Sequence, residues 1–255
     1  MILVDIHAHI HFDDYAKDID KLIPRWENTG VKSIITHGTD IEGNRRVLEF
    51  SKKYKIVQPA YGFYPVHLID VPEAKFDQEL DWIKKQKPIA IGEVGLDYLK
   101  GDDNPHGDKH KPIMRKSFEK FIALAEKMKV PIIVHSRRAE LEAIEMLESS
   151  KLKKIVMHSF TGRKHLVKRI IDNGWSISIP CIVVKLQQFQ DNVEIAPLSQ
   201  LFTETDCPYL SPYPDIRRNE PAFVVETIKK IAEIKKMDQE EVANNIYMNY
   251  QKMFL

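Results

Sequence analysis

A chain of 255 residues carries 38 Lys and Arg against 37 Asp and Glu, for a formal charge of +1. That balance excludes a protein that coats nucleic acid by bulk electrostatics, since such domains carry a clear basic excess, but it leaves room for a local basic rim. Only Cys181 and Cys207 occur, far apart, which excludes a disulfide framework and a Cys-rich zinc module.

Taken in chain order, short β-rich runs fall at residues 2–6, 33–36, 56–60, 89–91, 131–134, 154–157, 175–179 and 201–203. Longer stretches between them have helical periodicity. Residues 18–28 set Ile19, Leu22, Ile23 and Trp26 on one face, and Gly30 ends that helix. Residues 116–129 do the same with Phe118, Phe121, Ile122, Leu124, Ala125 and Met128, and residues 139–148 with Leu141, Ile144 and Leu147. Residues 181–197 read as irregular, and residues 222–255 as two helices packed on the outside. Asp5 and His7 interrupt the apolar start, so no signal peptide is expected; no run reaches the roughly 18 apolar residues of a membrane span, and the cytoplasm is the default location.

Eight strand candidates separated by helices predict an α/β fold, a single (β/α)8 TIM-type barrel with extra C-terminal helix, as one domain over residues 1–255. The rival, an open doubly wound sheet, would place a Gly-rich phosphate loop after the first strand, where Asp5-Ile6-His7-Ala8-His9 stands instead.

In a barrel, side chains at the C-terminal ends of strands converge on one site. Those ends carry Asp5, His7 and His9, then Glu93, His135, His158 and Asp206. Residues i and i+2 of a strand face alike, so His7 and His9 can grip one ion together. A single strand-end His is more often a hydrogen-bonded structural residue than a ligand. Six candidates on five strands are hard to explain by packing, because buried ionisable groups cost free energy unless paired or metal-bound. The nitrogen and oxygen set suits zinc, manganese or iron, and magnesium with added waters. His7, His9 and Asp206 would hold one ion, His135 and His158 a second, and Glu93 would bridge them, giving two divalent metal ions in all. Asp5 is expected to orient a His ring from behind. His11, His37, His106, His110 and His165 are read as solvated or rim residues.

These positions resemble the TatD family of metal-dependent hydrolases, within the amidohydrolase-like barrels, over essentially the whole chain. The resemblance rests on Asp5-Ile6-His7-Ala8-His9, on Gly92-Glu93-Val94-Gly95-Leu96-Asp97-Tyr98 and on His135-Ser136-Arg137-Arg138-Ala139. It continues through His158-Ser159-Phe160-Thr161-Gly162, Glu204-Thr205-Asp206-Cys207-Pro208-Tyr209-Leu210 and Arg218-Asn219-Glu220-Pro221. It implies a divalent-metal-dependent deoxyribonuclease with 3′ to 5′ action (Mg, Mn or Zn), and some members resemble D-aminoacyl-tRNA deacylases. The same six residues are the metal ligands that it implies. One segment departs: where the family has Gly-x-His-Pro, this chain reads Gly62-Phe63-Tyr64-Pro65-Val66-His67. A tyrosine, with a pKa of about 10, is a poor base near neutral pH. His67 is expected either to swing into the vacated place or to remain a surface residue.

The expected chemistry is in-line attack by a cation-acidified water on a phosphodiester, with Asp206 both holding metal and accepting the proton, and with Glu93 bridging. Arg137, Arg138, Arg163, Lys164, His165, Arg217 and Arg218 follow strands 5, 6 and 8; guanidinium forks match phosphate oxygens, so Arg137, Arg163 and Arg218 are the expected clamps. Residues 100–115 add Lys109, His110 and Lys111 but also Asp102, Asp103 and Asp108. Tyr64, Tyr98 and Tyr209 are candidates to stack a base, although Tyr98 and Tyr209 serve equally as packing residues. The expected partner is nucleic acid, a DNA end or short oligonucleotide, with no membrane and no obligate protein partner. Two rival readings are an ester or amide hydrolase on the same binuclear site and a non-enzymatic barrel. Glu93 stands where many barrel amidohydrolases carry a modified lysine, which favours the phosphodiesterase.

Overall fold

The computed structural model describes residues 1–101, 104–105 and 107–255; Asp102, Asp103 and His106 of the expected rim lie outside the described residues. Among the described residues, eight strands form one sheet in chain order, each parallel to the next. They are β1 (Leu3–Ala8), β2 (Val31–His37), β3 (Val57–Tyr61), β4 (Ala90–Asp97), β5 (Ile132–Arg137), β6 (Ile155–Met157), β7 (Ser176–Pro180) and β8 (Leu201–Glu204). The sheet closes between its first and last strands. Ala8 bridges Cys207, Asp206 N donates to His7 O at 2.9 Å, and His9 N donates to Cys207 O at 2.9 Å. This is the (β/α)8 barrel. Every residue of β1, β4, β7 and β8 is buried, as expected of parallel strands covered on both faces.

The helices around the barrel are α1 (Ile19–Asn28), α2 (Ile41–Lys53), α3 (Glu73–Gln86), α4 (Lys111–Met128), α5 (Glu140–Glu148), α6 (Lys164–Asp172), α7 (Gln187–Ile195), α8 (Val224–Lys235) and α9 (Gln239–Phe254). The buried face of α1 is Ile19, Leu22, Ile23 and Trp26, as the periodicity predicts. Asp238 caps α9 by accepting from Glu240 N and Glu241 N, a contact of about 1 kcal/mol. That helix then lies across the strand starts: Tyr250 Oη meets Ser33 Oγ at 2.8 Å, and Asn249 donates to Leu198 O and Leu201 O. These contacts dock the helix against the early residues of β2 and β8, away from the strand ends that carry the imidazoles.

Three local expectations need correction. β4 runs to Asp97 rather than stopping at residue 91, because Gly92, Glu93 and Gly95 hide the strand from a hydrophobicity pattern. Residues 181–197 are not irregular: a 3-10 turn, Cys181–Val184, leads into α7, whose buried side is only Phe189, Asn192 and Val193. Leu141 does not share the buried face of α5; Ala143 takes that place and Leu141 is 47% exposed. No helix among the described residues is long and apolar enough to cross a membrane.

Candidate functional site

Positions within β1, β4 and β5 and just beyond β1, β6 and β8 bring His7, His9, Glu93, His135, His158 and Asp206 together. His7 Nε2 lies 3.3 Å from His9 Nε2. Glu93 Oε2 is 3.4 Å from His7 Nε2 and 3.5 Å from His9 Nε2. Asp206 Oδ1 sits 3.7 and 3.4 Å from the same two nitrogens. The other oxygen of Glu93, Oε1, is 2.9 Å from His135 Nδ1 and 3.7 Å from His158 Nε2. One carboxylate thus turns an oxygen to each side, the disposition a bridging ligand needs. The side chains form two overlapping groups with donor atoms close enough for one ion: His7, His9 and Asp206, and His7, Glu93 and His158. His7 therefore belongs to both, whereas His135 reaches the cluster through Glu93.

Backbone geometry helps to aim these groups. Arg138, Ser159 and Asp206, each just beyond a strand end, have φ of 58°, 41° and 55°. Left-handed residues other than glycine cost on the order of 1 kcal/mol or more and persist where surrounding contacts impose them. Asp206 is pinned on both sides, by its own N–H to His7 O and by Tyr209 N–H to its carbonyl.

Each imidazole but one has a backing acceptor. His9 Nδ1 meets His37 O at 3.1 Å, His158 Nδ1 meets Glu204 Oε2 at 2.8 Å, and His135 Nε2 meets Asp97 Oδ2 at 3.2 Å. His7 Nδ1 has no hydrogen-bond partner among the described residues, and its ring is stacked between His37 (3.9 Å) and His158 (3.5 Å). Glu204 takes a second donor, Ser178 Oγ, at 2.5 Å. The sequence reading passed over Asp97 and Glu204. Strand parity was the available signal, since Asp97 shares a face with Glu93, and Glu204 precedes Asp206 by two.

The electrostatics follow from burial opposed by these contacts. Burial alone would lower His158, yet Glu204 at its back, helped by Asp206 and Glu93, carries it up to about 10. Burial likewise opposes His135, and Asp97 and Glu93 carry it up to about 9. Burial would raise Glu93, but the surrounding imidazoles, His7 and His135 foremost, hold it well below the usual carboxylate range. His7, desolvated and beside His158 and His37, is pushed well down. Such a set fits divalent cations: buried lone-pair nitrogens and carboxylate oxygens face one another at 3.3–3.7 Å, where positive charge must sit.

Several residues lie elsewhere than expected. His37 and His11 are not rim residues: both are buried, and burial pushes His37 down to about 3 and His11 well below its ordinary value. Asp5 orients no ring; it accepts from His7 N and from Thr205 N and Oγ1, tying β1 to β8. His67 stays outside the cluster, exposed, with Nδ1 3.0 Å from Thr39 O. Tyr64 turns its hydroxyl to Asp97 at 2.6 Å. Arg218 has its guanidinium on both oxygens of Asp18 and on Asp14 O, over the Tyr15 ring, so its fork is already filled. Arg137, the last residue of β5, and Arg163, in the segment after β6, are exposed. Lys111 covers the Tyr98 ring at 4.6 Å. Tyr209 is 57% exposed and perpendicular to Phe12, which stacks on His9 at 4.9 Å. A groove of about 1200 Å³ runs from Arg138 and Arg163 down between α4 and α5, but Glu119, Glu126, Glu142 and Glu145 line it too, an acidic wall unsuited to a phosphate track.

A buried imidazole and carboxylate cluster at the C-terminal mouth of a (β/α)8 barrel defines a metal-dependent hydrolase. Known proteins agree. The chain is 33% identical to the uncharacterized metal-dependent hydrolase YabD of Bacillus subtilis (strain 168), over 99% of both proteins. It is 28% identical to deoxyribonuclease TATDN3 of Homo sapiens, over 99% of this chain and 94% of the relative. Its fold matches the crystal structure of YJJV, a TatD homolog from Escherichia coli K12, with a TM-score of 0.88 and 25% identity over 99% and 97% of the two chains. The profile of the family described as TatD related DNase matches residues 4–255, and the chain belongs to that family.

Proposed function

We propose that this protein hydrolyses phosphodiester bonds at a DNA strand end, with His7, His9, Glu93, His135, His158 and Asp206 holding two divalent cations (Mg, Mn or Zn). The observation that carries the reading is the split of Glu93, one oxygen toward His7 and His9 and the other toward His135 and His158. The name of the TATDN3 relative supports the choice of DNA. Bound there, the cations would acidify a water and neutralise charge on the phosphoryl oxygens. Asp206 is the proton acceptor: its side chain is 20% exposed toward the mouth, whereas Glu93, at 5%, is enclosed by imidazoles. Arg137 and Arg163 hold the flanking phosphates with their guanidinium forks. His67 and Arg218 take no part.

The test sets single-stranded and duplex DNA ends against a plain phosphodiester and a D-aminoacyl-tRNA, each with manganese, magnesium and zinc. DNA ends should be shortened with at least one metal, and Asp206→Asn should abolish turnover while leaving the barrel folded. Turnover of the aminoacyl ester alone, or near-full activity of Asp206→Asn at saturating metal, would overturn the assignment.

A further inference from the structure

Tyr64 begins a chain of contacts that ends on the shared carboxylate. Its hydroxyl donates to Asp97 Oδ2 at 2.6 Å, that same oxygen meets His135 Nε2 at 3.2 Å, and His135 Nδ1 meets Glu93 Oε1 at 2.9 Å. A carboxylate only accepts, so both the phenol and the imidazole donate to Asp97, and Nδ1 is the His135 nitrogen turned toward Glu93. Asp97 is 2% exposed, and its other oxygen takes Leu99 N at 2.9 Å. Tyr64 is itself fixed: its N–H donates to Thr39 O, its carbonyl accepts from His67 N, and its ring stands edge-on to His135 with centroids 5.0 Å apart. Its hydroxyl is thus committed inward, to a carboxylate, rather than offered to substrate.

We propose that Tyr64 is a positioning residue which, through Asp97, fixes the nitrogen that His135 presents and so sets the affinity of the His135 and His158 side of the site for its cation. The proposal rests on the two-cation reading above. An imidazole can offer either nitrogen to a cation, and which one is offered is decided by the hydrogen bond at the other. Asp97 supplies that bond, and Tyr64 supplies the donor that keeps Oδ2 in place. Removing such an outer partner typically weakens metal binding about 10–100-fold. Tyr64 stands one contact further out, so its removal belongs at the lower end of that range.

The experiment titrates Mn²⁺ by calorimetry into metal-stripped wild type, Tyr64→Phe and Asp97→Asn, and records ¹H–¹⁵N spectra of the histidine rings with Zn²⁺ bound. Tyr64→Phe should weaken one of two cations about tenfold and leave the other within twofold. Asp97→Asn should weaken the same cation by at least as much. In wild type His135 should coordinate through Nδ1 with Nε2 protonated, and in Tyr64→Phe it should give a mixture of the two ring orientations. Unchanged affinities with unchanged His135 signals would overturn the role of Tyr64 alone, as would equal weakening of both cations with a lowered Tm. A wild type that takes up a single cation would overturn the two-cation reading and this proposal with it.

Discussion

Glu204→Gln isolates what a buried carboxylate does for the imidazole in front of it. In the wild type, Oε2 of Glu204 takes His158 Nδ1 at 2.8 Å and Ser178 Oγ at 2.5 Å, while Oε1 is buried without a hydrogen-bond partner among the described residues. Glutamine keeps the shape and removes the charge. With its oxygen in the Oε2 place, both donors keep an acceptor, but each bond loses its ionic assistance and falls to roughly half strength. The amide nitrogen then occupies the Oε1 place, and a buried donor without an acceptor costs about 1–3 kcal/mol. For a chain of this size that corresponds to a Tm lowered by roughly 2–12 °C. His158 also loses the contact that lifts its pKa, and with it basicity toward a cation, so divalent metal should bind about 10–100-fold more weakly. Scanning calorimetry of chelator-treated protein gives the first quantity, and competition between the protein and a chelating dye for Mn²⁺ gives the second. A variant that matched wild type within about 1 °C and twofold in affinity would refute the argument that Glu204 supports the site.

Other outcomes follow from the same geometry. In metal-stripped protein, stability should peak near about pH 6.5 and fall steadily from there toward about pH 10. His135 and His158, raised to about 9 and about 10, contribute stability below their unfolded value that is lost as pH rises through the folded ones. His7, His11 and His37, all lowered, make the unfolded chain take up more protons below about pH 6.5, so stability also falls on acidification. A pH series of melts that stayed flat from 5 to 10 would contradict these assignments. Arg137→Ala and Arg163→Ala should raise KM for an oligonucleotide, and added salt should weaken binding with a shallow slope, since few phosphates are neutralised. Arg218→Ala should instead lower Tm with KM unchanged, because its partners are Asp18 and Asp14; steady-state kinetics beside melts separates the two roles. Tyr209→Ala should raise KM about 5–150-fold if a base stacks on the exposed ring, and Tyr209→Trp should restore it.

Much of the architecture is legible because barrel strands and helices have different periods. The apolar face of α1 can be read residue by residue, and the strand-end imidazoles and carboxylates stand out because such groups are rarely buried without a purpose. What escapes the sequence is whatever depends on the surroundings of a residue rather than its type. His37 and His11 read as polar and therefore solvated, yet strand ends and loops enclose them completely. Asp97 and Glu204 look like ordinary motif acids until their distances to His135 and His158 are known. Arg218 looks like a phosphate clamp until Asp18, 200 residues away in sequence, fills its fork. α7 is hidden for a different reason: with Gln187, Gln188, Gln190 and Asp191 leading it, it offers too few apolar positions to set a period.

The seam between β1 and β8 gives the protein a built-in order of events. His7 and Asp206 are 199 residues apart in sequence, and the backbone that pins one to the other joins them only once β8 has docked beside β1. Until that join is made, the imidazoles and Glu93 lack their outermost carboxylate. The complete cluster is therefore a product of ring closure rather than of any one strand.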